Sequence, residues 1–237
     1  MKFKKQDEAY LSKRKDLAEK IDKPWLWEHI DHWPLYVGNA NLGRFMAISE
    51  IVKQSLSVPG HIAEFGSWKG ANLMFMAKLL NLWDPHGNKI VHCFDSFEGL
   101  TTFTNQDGSS DSQKGEYAGQ LDELRQLIEL YELQDNIDIH VGLIQDTLPK
   151  IIKEQPQISF SLIYCDTDLY EPTKLILSEL HQRLMPGGFF VFDEWNDPRW
   201  QGEGLAGNEF IQEFGDVYEP IHVQGARQPN LILKKLK

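Results

Sequence analysis

Two short apolar runs, residues 160–164 and 189–192, constrain the fold of this chain most strongly. Each run is rich in aromatic and branched residues, a pattern typical of a strand buried on both faces of a sheet. Between them, Leu177, Leu180 and Leu184 recur at helical spacing and predict an amphipathic helix. A strand, a helix and a second strand in this order form a parallel pair. The chain is therefore predicted to contain a parallel sheet.

The same alternation extends from residue 61 to the end of the chain. The predicted strands occupy residues 61–65, 89–94, 137–141, 159–165, 188–193, 219–224 and 229–235. The predicted helices occupy residues 70–82, 118–133, 146–153, 172–184 and 205–215. This series predicts an α/β fold with a mostly parallel seven-stranded sheet and helices on both faces.

Residues 1–56 differ from this series and are predicted to form an N-terminal helical and aromatic extension, followed by the main domain at residues 57–237. Within the extension, Asn41 is expected to cap a helix that runs to about Ser55. The Pro186-Gly187-Gly188 segment is expected to end the helix predicted at residues 172–184.

Four carboxylates follow the two apolar runs directly. Asp166 and Asp168 come after the first run, and Asp193 and Glu194 come after the second. Ligands bind outside the carboxyl ends of strands in open α/β sheets, so these acids are predicted to gather at one edge of the sheet. Oxygen ligands of this kind suit a hard divalent cation such as Mg²⁺. The acids therefore favour a metal-assisted enzyme.

The turn after the first predicted strand indicates a cofactor site. The strand stops near Glu64, Gly66 permits a tight turn close to a ligand, and Gly70 lets the next helix start near the sheet. Asp95, followed by Ser96, ends the next strand, where α/β nucleotide-binding proteins place the carboxylate that binds ribose hydroxyls.

A third turn completes this pattern at residues 140–149. The strand ends in Gly142, and a helix is expected to begin after Gln145. Ile144 and Gln145 would flank an adenine ring, although a plain turn with Asp146 as an N-cap fits the same residues. A glycine turn, an acid and a polar turn in this order are the layout of S-adenosylmethionine sites.

Six segments together resemble the macrocin O-methyltransferase family, over about residues 60–235. They are AEFGSWKG, CFDSFEGL, GLIQDTLP, DTDLYEPT, LMPGGFFVFDEW and GARQPNLIL. The resemblance implies a class I methyltransferase (Rossmann-like) fold, S-adenosylmethionine as cofactor and a bound Mg²⁺ ion. It also implies methyl transfer to a hydroxyl of a small molecule, typically a deoxysugar or a nucleotide-linked sugar.

The resemblance also assigns roles to individual residues. Cofactor contacts are implied for Glu64, Gly66, Asp95, Ser96, Ile144, Gln145 and Asp166, and metal ligands for Asp166, Asp193 and Glu194. The family usually has two aspartates at the last pair, so Glu194 departs from its pattern. The position of the lysine in the similar catechol-type enzymes is Leu169 here. Asp168 is therefore the first candidate for the base that removes the hydroxyl proton, with Asp166 as the alternative.

Two polar segments are expected to contact the acceptor. Residues 99–117 form a long connection rich in turn formers, which predicts a lid-like loop. Residues 195–207 follow the second acid pair and contain Trp195, Arg199 and Trp200. Aromatic faces stack on sugar rings and an arginine binds phosphate, so these three side chains are candidates for substrate contact.

Charge and hydropathy exclude other classes. The formal charge of −11 argues against a nucleic-acid substrate. The absence of a long apolar stretch argues against a membrane protein and favours a cytoplasmic location.

Trp25, Trp27 and Trp33 are predicted to be core or dimer contacts, which favours a homo-oligomer. Two alternative functions stay open: a metal-dependent hydroxylase-like relative on the same fold, and a non-catalytic nucleotide-binding module.

Overall fold

The computed structural model describes residues 13–108 and 113–237. The strands are β1 (His61–Phe65), β2 (Val91–Asp95), β3 (Ile137–Val141), β4 (Phe160–Cys165), β5 (Leu184–Phe192), β6 (Tyr218–Ile221) and β7 (Leu231–Lys235). They form one seven-stranded sheet in the order β3-β2-β1-β4-β5-β7-β6. Strands β1 to β5 pair in parallel, and β7 runs antiparallel between β5 and β6. The sheet is therefore mostly parallel, as predicted.

Eight α-helices accompany the sheet within the described residues. They are α1 (13–20), α2 (Leu26–Asp31), α3 (Asn39–Ser55), α4 (Ala71–Trp83), α5 (Leu121–Leu130), α6 (Ile144–Glu154), α7 (Tyr170–Leu180) and α8 (Gln201–Phe214). Helix α1 is given from residue 13, where the described chain begins.

The helices cover both faces of the sheet because the central strands are apolar on both sides. One core cluster joins α3, α4 and α5 to the sheet and includes Ile51, Leu73 and Leu124. The other joins α6, α7 and α8 to the opposite face and includes Ile151 and Phe210. The result is a sheet between two helical layers, with the carboxyl ends of β1 to β5 open at one edge.

Helix α3 belongs to the core of the sheet domain, because Ile48, Ile51 and Val52 are almost fully buried in the first cluster. It begins at Asn39, two residues before the predicted cap at Asn41, and Gly38 occupies the N-cap position. The division between an extension at residues 1–56 and a main domain stays a prediction, and its first twelve residues lie outside the described chain.

The three N-terminal tryptophans differ in exposure. Trp27 is buried beside Leu17 and Leu130, whereas Trp25 and Trp33 are 71% and 48% exposed. The homo-oligomer stays a prediction. No helix within residues 13–108 and 113–237 combines the length and the apolar character needed to cross a bilayer.

Helix α7 ends at Leu180, four residues before the predicted end, and Leu184 starts β5 instead of extending the helix. Leu184 pairs with Phe160 of β4, so the chain has joined the sheet at this point, and the ammonium group of Lys235 donates hydrogen bonds of 2.8 Å to the carbonyls of His181 and Leu184. These carbonyls need no further helical turn. Pro186-Gly187-Gly188 consequently lies inside β5 and does not end the helix, so that prediction was wrong.

Helix α8 starts at Gln201, four residues before the prediction, and includes glycines that disfavour helices in isolation. Tertiary contact overrides this preference. A Cβ atom on Gly202 would lie 2.5 Å from the backbone nitrogen of Tyr170, and one on Gly204 would lie 2.3 Å from the carbonyl oxygen of Trp195. The glycines thus allow α8 to pack closely against α7 and the loop after β5.

Candidate active site

One pocket opens at the carboxyl ends of the parallel strands. Its walls come from the turns after β1, β2, β3, β4 and β5, from α3 and from the loop after β2. A parallel α/β sheet places its ligand site at this edge because the loops on either side diverge there. The residues predicted for cofactor, metal and substrate can therefore be placed relative to a single cavity.

The turn after β1 fits only glycine at position 66. Gly66 has a φ of +82°, and a Cβ atom there would lie 1.9 Å from the carbonyl oxygen of Asp166. Gly66 lines the pocket, so the backbone is left open to a ligand. Glu64 lies beneath the pocket and is fully buried, with the Ser67 hydroxyl donating to its carboxylate. Burial raises the pKa of Glu64 to about 8.

Asp95 ends β2 and lines the pocket. Its Oδ2 accepts hydrogen bonds from the backbone nitrogens of Ser67 and Trp68 at 2.6 and 2.8 Å, and its Oδ1 accepts one from Phe97 at 2.6 Å. A carboxylate offers about four lone-pair sites, so one remains for an outside donor. Ser96 also lines the pocket. The fixed carboxylate suits a ribose hydroxyl.

The turn between β3 and α6 contributes Gly142, Leu143, Ile144 and Gln145 to the pocket wall. Helix α6 begins at Ile144, so the expected start after Gln145 was wrong, and Asp146, the N-cap of the alternative interpretation, lies inside the helix. Leu143 takes the N-cap position with an extended backbone. The amides of Asp146 and Thr147 donate to the carbonyl of Leu143 at 3.0 Å, so the amides of Ile144 and Gln145, which precede them at the pocket wall, are the ones placed to donate to an adenine edge.

Strand pairing brings the two acid pairs together. Cys165 pairs with Phe192, which places Asp166 beside Asp193 on the neighbouring strand. The backbone nitrogen of Asp193 donates to the carbonyl of Cys165 at 3.0 Å. Burial and the charge of Asp193 raise the pKa of Asp166 well above its ordinary value. The acids predicted to share one edge therefore do share it.

Asp168 and Glu194 line the same pocket. Asp168 has a φ of +62°, an uncommon conformation for a residue with a side chain. Burial and the charge of Asp193 raise its pKa to about 7. Burial and the same aspartate raise the pKa of Glu194 to about 8. Each acid thus carries a proton more readily than a free carboxyl.

Three further side chains bind the acids. The sequence pattern assigned no role to two of them, Arg44 and Tyr164. Arg44 on α3 donates from Nη2 to Oδ2 of Asp193 at 2.6 Å, and the hydroxyl of Tyr164 donates to its Oδ1. Gln228 donates to Oε1 of Glu194. Arg44 is 149 residues from Asp193 in sequence and lies in no recognisable motif. Only the folded chain reveals it.

Glu203 on α8 is another buried carboxylate that sequence reasoning missed. Its Oε1 accepts from the backbone nitrogen of Glu194 at 2.9 Å, and its Oε2 accepts from that of Asp168 at 3.3 Å. Burial raises its pKa well above the ordinary value. Glu203 therefore links the two acid-bearing loops to each other and positions both.

The carboxylates of Asp166, Asp193 and Glu194 fit Mg²⁺ in chemistry and in location, because they are oxygen ligands that line one pocket. The ligand oxygens of these three acids lie farther apart than they would around a bound ion. Among the described residues, the only group of three His, Cys, Asp or Glu whose ligand atoms all lie within 4.8 Å of one another is elsewhere, at β2 and β3. The acids must turn inward to ligate one ion.

Of the three residues predicted to contact the substrate, two line the pocket and one does not. Arg199 and Trp200 line the pocket, and Arg199 is paired with Asp197 through bonds of 2.9 and 2.7 Å. Trp195 is absent from the wall. Its indole nitrogen donates to Asn208 at 3.2 Å, and its ring packs on the apolar cluster below α8.

Two aromatic side chains that sequence reasoning missed take part in the wall. Tyr117 packs edge-to-face against Trp68 and against Trp200, with ring centroids 5.4 and 5.9 Å apart. Both Tyr117 and Trp68 line the pocket. Together with Trp200, which is buried, they form an aromatic wall of the pocket.

The loop at residues 99–117 contributes Gly99, Leu100, Thr101, Thr102 and Tyr117 to the pocket; residues 109–112 lie outside the described chain. Its middle is tied down by Asp107. That buried carboxylate accepts from the backbone nitrogens of Tyr170 at 2.7 Å and of Thr104 at 2.6 Å. Closure of this loop as a lid stays a prediction.

The strand order, the single antiparallel insertion of β7 and the polar turns at one edge define a class I methyltransferase fold. The chain belongs to the family Macrocin-O-methyltransferase (TylF), which matches it over residues 9–221. The expected family and fold are therefore confirmed.

Curated relatives agree with this family. The chain is 33% identical over 147 residues to the 8-demethyl-8-(2,3-dimethoxy-alpha-L-rhamnosyl)-tetracenomycin-C 4′-O-methyltransferase of Streptomyces olivaceus, covering 58% of this chain and 54% of the relative. It is 27% identical over 168 residues to the mycinamicin III 3″-O-methyltransferase of Micromonospora griseorubida, covering 67% and 61%. The matched stretch thus spans about half to three fifths of these relatives.

Solved structures match over almost the whole chain. CalS11, described as a calicheamicin methyltransferase, has a TM-score of 0.79 and 26% identity, covering 96% of this chain and 91% of that one. An O-methyltransferase from Bacillus cereus in complex with SAH has a TM-score of 0.54 and 17% identity, covering 94% and 91%, and shows similarity of fold alone.

Proposed function

We propose that this chain is an O-methyltransferase that moves a methyl group from S-adenosylmethionine to a hydroxyl of a small sugar-containing molecule, with Mg²⁺ bound at the site. One observation carries the proposal. The glycine turn after β1, the fixed Asp95 and the acids after β4 and β5 all line one pocket of a macrocin-O-methyltransferase fold.

The cofactor fits the half of the pocket nearest β1, β2 and β3. Gly66 leaves the backbone open for the methionine part, and Asp95 offers a fixed carboxylate to the ribose. Ile144 and Gln145 stand where the adenine would lie. Glu64 is buried beneath Gly66 and acts through Ser67, so it is a positioning residue for this turn.

Asp166, Asp193 and Glu194 would hold Mg²⁺ beside the cofactor. When bound, Mg²⁺ lowers the pKa of an acceptor hydroxyl that coordinates it and fixes the hydroxyl oxygen near the methyl group. Asp168 would then take the hydroxyl proton. A base works best when its pKa is near the operating pH, and burial holds the pKa of Asp168 at about 7. Asp166 is the alternative base.

A sugar acceptor is supported by the wall and by the relatives. Trp68, Tyr117 and Trp200 line the pocket with aromatic rings, of which the first two are exposed at its rim, and such rings stack on the apolar faces of sugars. Arg199 at the same rim could donate to a phosphate if the sugar were nucleotide-linked. A solved structure of CalS11, at 26% identity, is titled as a TDP-rhamnose 3′-O-methyltransferase.

Calorimetry and a methyl-transfer assay test the proposal together. We expect the demethylated cofactor to bind, and methyl transfer to a panel of deoxysugar nucleotides and glycosides to require Mg²⁺. Asp193→Asn should reduce turnover at least about a hundredfold and abolish the Mg²⁺ dependence, because it removes a ligand charge. Asp122→Asn, on the exposed surface of α5 and outside the pocket, is the matched control and should retain Mg²⁺ dependence.

Two results would contradict this function. If the demethylated cofactor did not bind, the chain would not be a methyltransferase. Binding without transfer to any acceptor, and without mutual reinforcement between cofactor and Mg²⁺, would favour a non-catalytic module.

A further inference from the structure

A cluster of imidazole and carboxylate groups lies at the β2–β3 edge of the sheet. His92 pairs with Asp138 in the register of β2 and β3, and Phe94 pairs with His140. Asp138 and His140 are two residues apart on one strand, so their side chains point to the same face as that of His92. The three groups come together because of strand register alone.

The three possible ligand atoms form a compact triangle. Nδ1 of His92 lies 3.0 Å from Nε2 of His140, and Oδ2 of Asp138 lies 3.6 and 3.5 Å from these two atoms. The circle through the three atoms has a radius of about 2.0 Å, which is close to the length of Zn–N and Zn–O bonds in proteins.

The chemistry of the group suits a metal of intermediate softness. The two imidazoles share one hydrogen bond, so at least one of the two nitrogens is unprotonated and accepts that bond with its lone pair. Imidazole ligands favour zinc, copper, nickel and iron, whereas Mg²⁺ prefers oxygen alone. A metal would replace the shared proton, and the rings would turn so that both lone pairs face it.

The three residues of the cluster differ in their exposure to solvent. His92 is 2% exposed, and its Nε2 has no hydrogen-bond partner within the described chain. The side chains of His140 and Asp138 are 15% and 46% exposed. An ion could therefore enter past Asp138, and a water molecule could complete the coordination on that side.

We propose that His92, Asp138 and His140 form a binding site for a divalent transition-metal ion of the zinc class. None of the three lines the active-site pocket, so the site is separate from the proposed magnesium site. A bound ion ties the edge strand β3 to β2. Its role is to stabilise the fold, since ligands from two strands come together only in the folded chain.

Cobalt titration tests this site in the full chain. After treatment with a chelator, the protein is titrated with Co²⁺ in the presence of millimolar Mg²⁺, which occupies hard oxygen sites. We expect one equivalent of Co²⁺ to give a visible ligand-field band, and Zn²⁺ to displace it. Asp138→Asn and His140→Phe should each weaken Co²⁺ binding at least tenfold.

Asp135→Asn is the matched control, because it removes the same charge from the exposed turn just before β3. The Asp135→Asn variant should bind Co²⁺ as the unaltered chain does. Zn²⁺ should raise the unfolding temperature of the unaltered chain and of Asp135→Asn, but not that of Asp138→Asn. The proposal is overturned if no saturable Co²⁺ binding occurs, or if Asp138→Asn binds as tightly as Asp135→Asn. It is equally overturned if Asp193→Asn removes the band while Asp138→Asn keeps it. Should His140→Phe not fold, the partly exposed Asp138→Asn variant decides.

Discussion

Nη2 of Arg44 lies 2.6 Å from Oδ2 of Asp193, and this contact joins a helix before the first strand to the acid that directly follows β5. Asp193 is nearly fully buried and Arg44 is partly buried, so the guanidinium offsets a charge that water cannot reach. Burial by itself lowers the pKa of Arg44, but the combined charges of Asp193 and the neighbouring Tyr164, Asp166 and Glu194 outweigh it, so the pKa is raised. Arg44 is thus the cation that balances the acid cluster before any metal binds.

Replacing Arg44 should make the stability of the chain depend on Mg²⁺. Arg44→Gln leaves Asp193 without a cation, and we expect a loss of about 1–3 kcal/mol in the free energy of unfolding. A bound divalent ion restores positive charge at the acids, so Mg²⁺ should recover part of this loss. Chemical unfolding with and without Mg²⁺ measures both effects. Arg125→Gln, on the exposed surface of α5, is the control; a loss of equal size with and without Mg²⁺ would contradict the interpretation.

Gly66→Ala should destabilise the fold and prevent cofactor binding. Its Cβ atom would lie 1.9 Å from the carbonyl oxygen of Asp166, at a φ of +82°. We expect a loss of more than about 2 kcal/mol, measured by urea unfolding, together with loss of S-adenosylmethionine binding by calorimetry.

Gly187→Ala separates backbone strain from the clash at Gly66. Gly187 has a φ of +85°, and its nearest neighbour to a Cβ atom is Val58 Cγ2 at an ordinary 3.5 Å. This variant should lose only about 1 kcal/mol and keep the cofactor affinity. Equal losses in the two variants would show that the approach to Asp166 has no cost of its own.

Glu64→Gln should reduce the pH dependence of stability. Burial raises the pKa of Glu64 from 4.5 to about 8, so the folded chain keeps a proton that the unfolded chain loses between these values. The free energy of unfolding therefore falls as the pH rises through this window. The glutamine variant carries no such proton. Its stability relative to the unaltered chain should improve by a few kcal/mol between pH 4 and pH 9.

Chemical unfolding of both proteins across this pH range measures the difference, and the other buried acids are common to both. Ser67→Ala tests the hydrogen bond from the hydroxyl to the carboxylate separately. A difference between Glu64→Gln and the unaltered chain that does not vary with pH would mean that Glu64 titrates normally.

Tyr117→Ala should weaken acceptor binding if the pocket functions as proposed. The tyrosine ring packs on Trp68 and Trp200 in the aromatic wall, so we expect the KM for a sugar acceptor to rise about three- to tenfold. The affinity for S-adenosylmethionine should not change. Steady-state kinetics and calorimetry measure the two quantities. Trp195→Phe is the control, since Trp195 lies outside the wall. If the KM of this variant for the acceptor rose by the same factor, Trp195 would belong to the acceptor site.

Local patterns predicted much of the sheet. Strands β1 and β3 occupy the residues that the sequence predicted, because the local strand pattern is recognisable both where the strand is buried, as in β1, and where apolar and polar residues alternate at the sheet edge, as in β3. The acid cluster followed for the same reason. Asp166 and Asp193 come directly after short apolar runs, and parallel pairing brings the ends of neighbouring strands together.

Helix boundaries were less accurate where long-range contacts decide them. Helix α8 begins in a glycine-rich segment that local preference assigns to a loop, yet close packing against α7 makes those glycines necessary. Helix α7 ends early because Leu184 pairs with Phe160 of β4, and Lys235, on the last strand, satisfies carbonyls that follow the helix. Neither cause is visible within a window of neighbouring residues.

The sequence by itself determined the α/β class, the family and the acids that end the strands, because each depends on short patterns and on their order. Only the tertiary structure decided that Arg44 and Glu203 complete the acid cluster, that Trp195 turns away from the pocket, and that two histidines meet an aspartate at the sheet edge. The reason is physical. Which side chains meet depends on strand register and helix packing, and these bring together residues that are far apart in the chain.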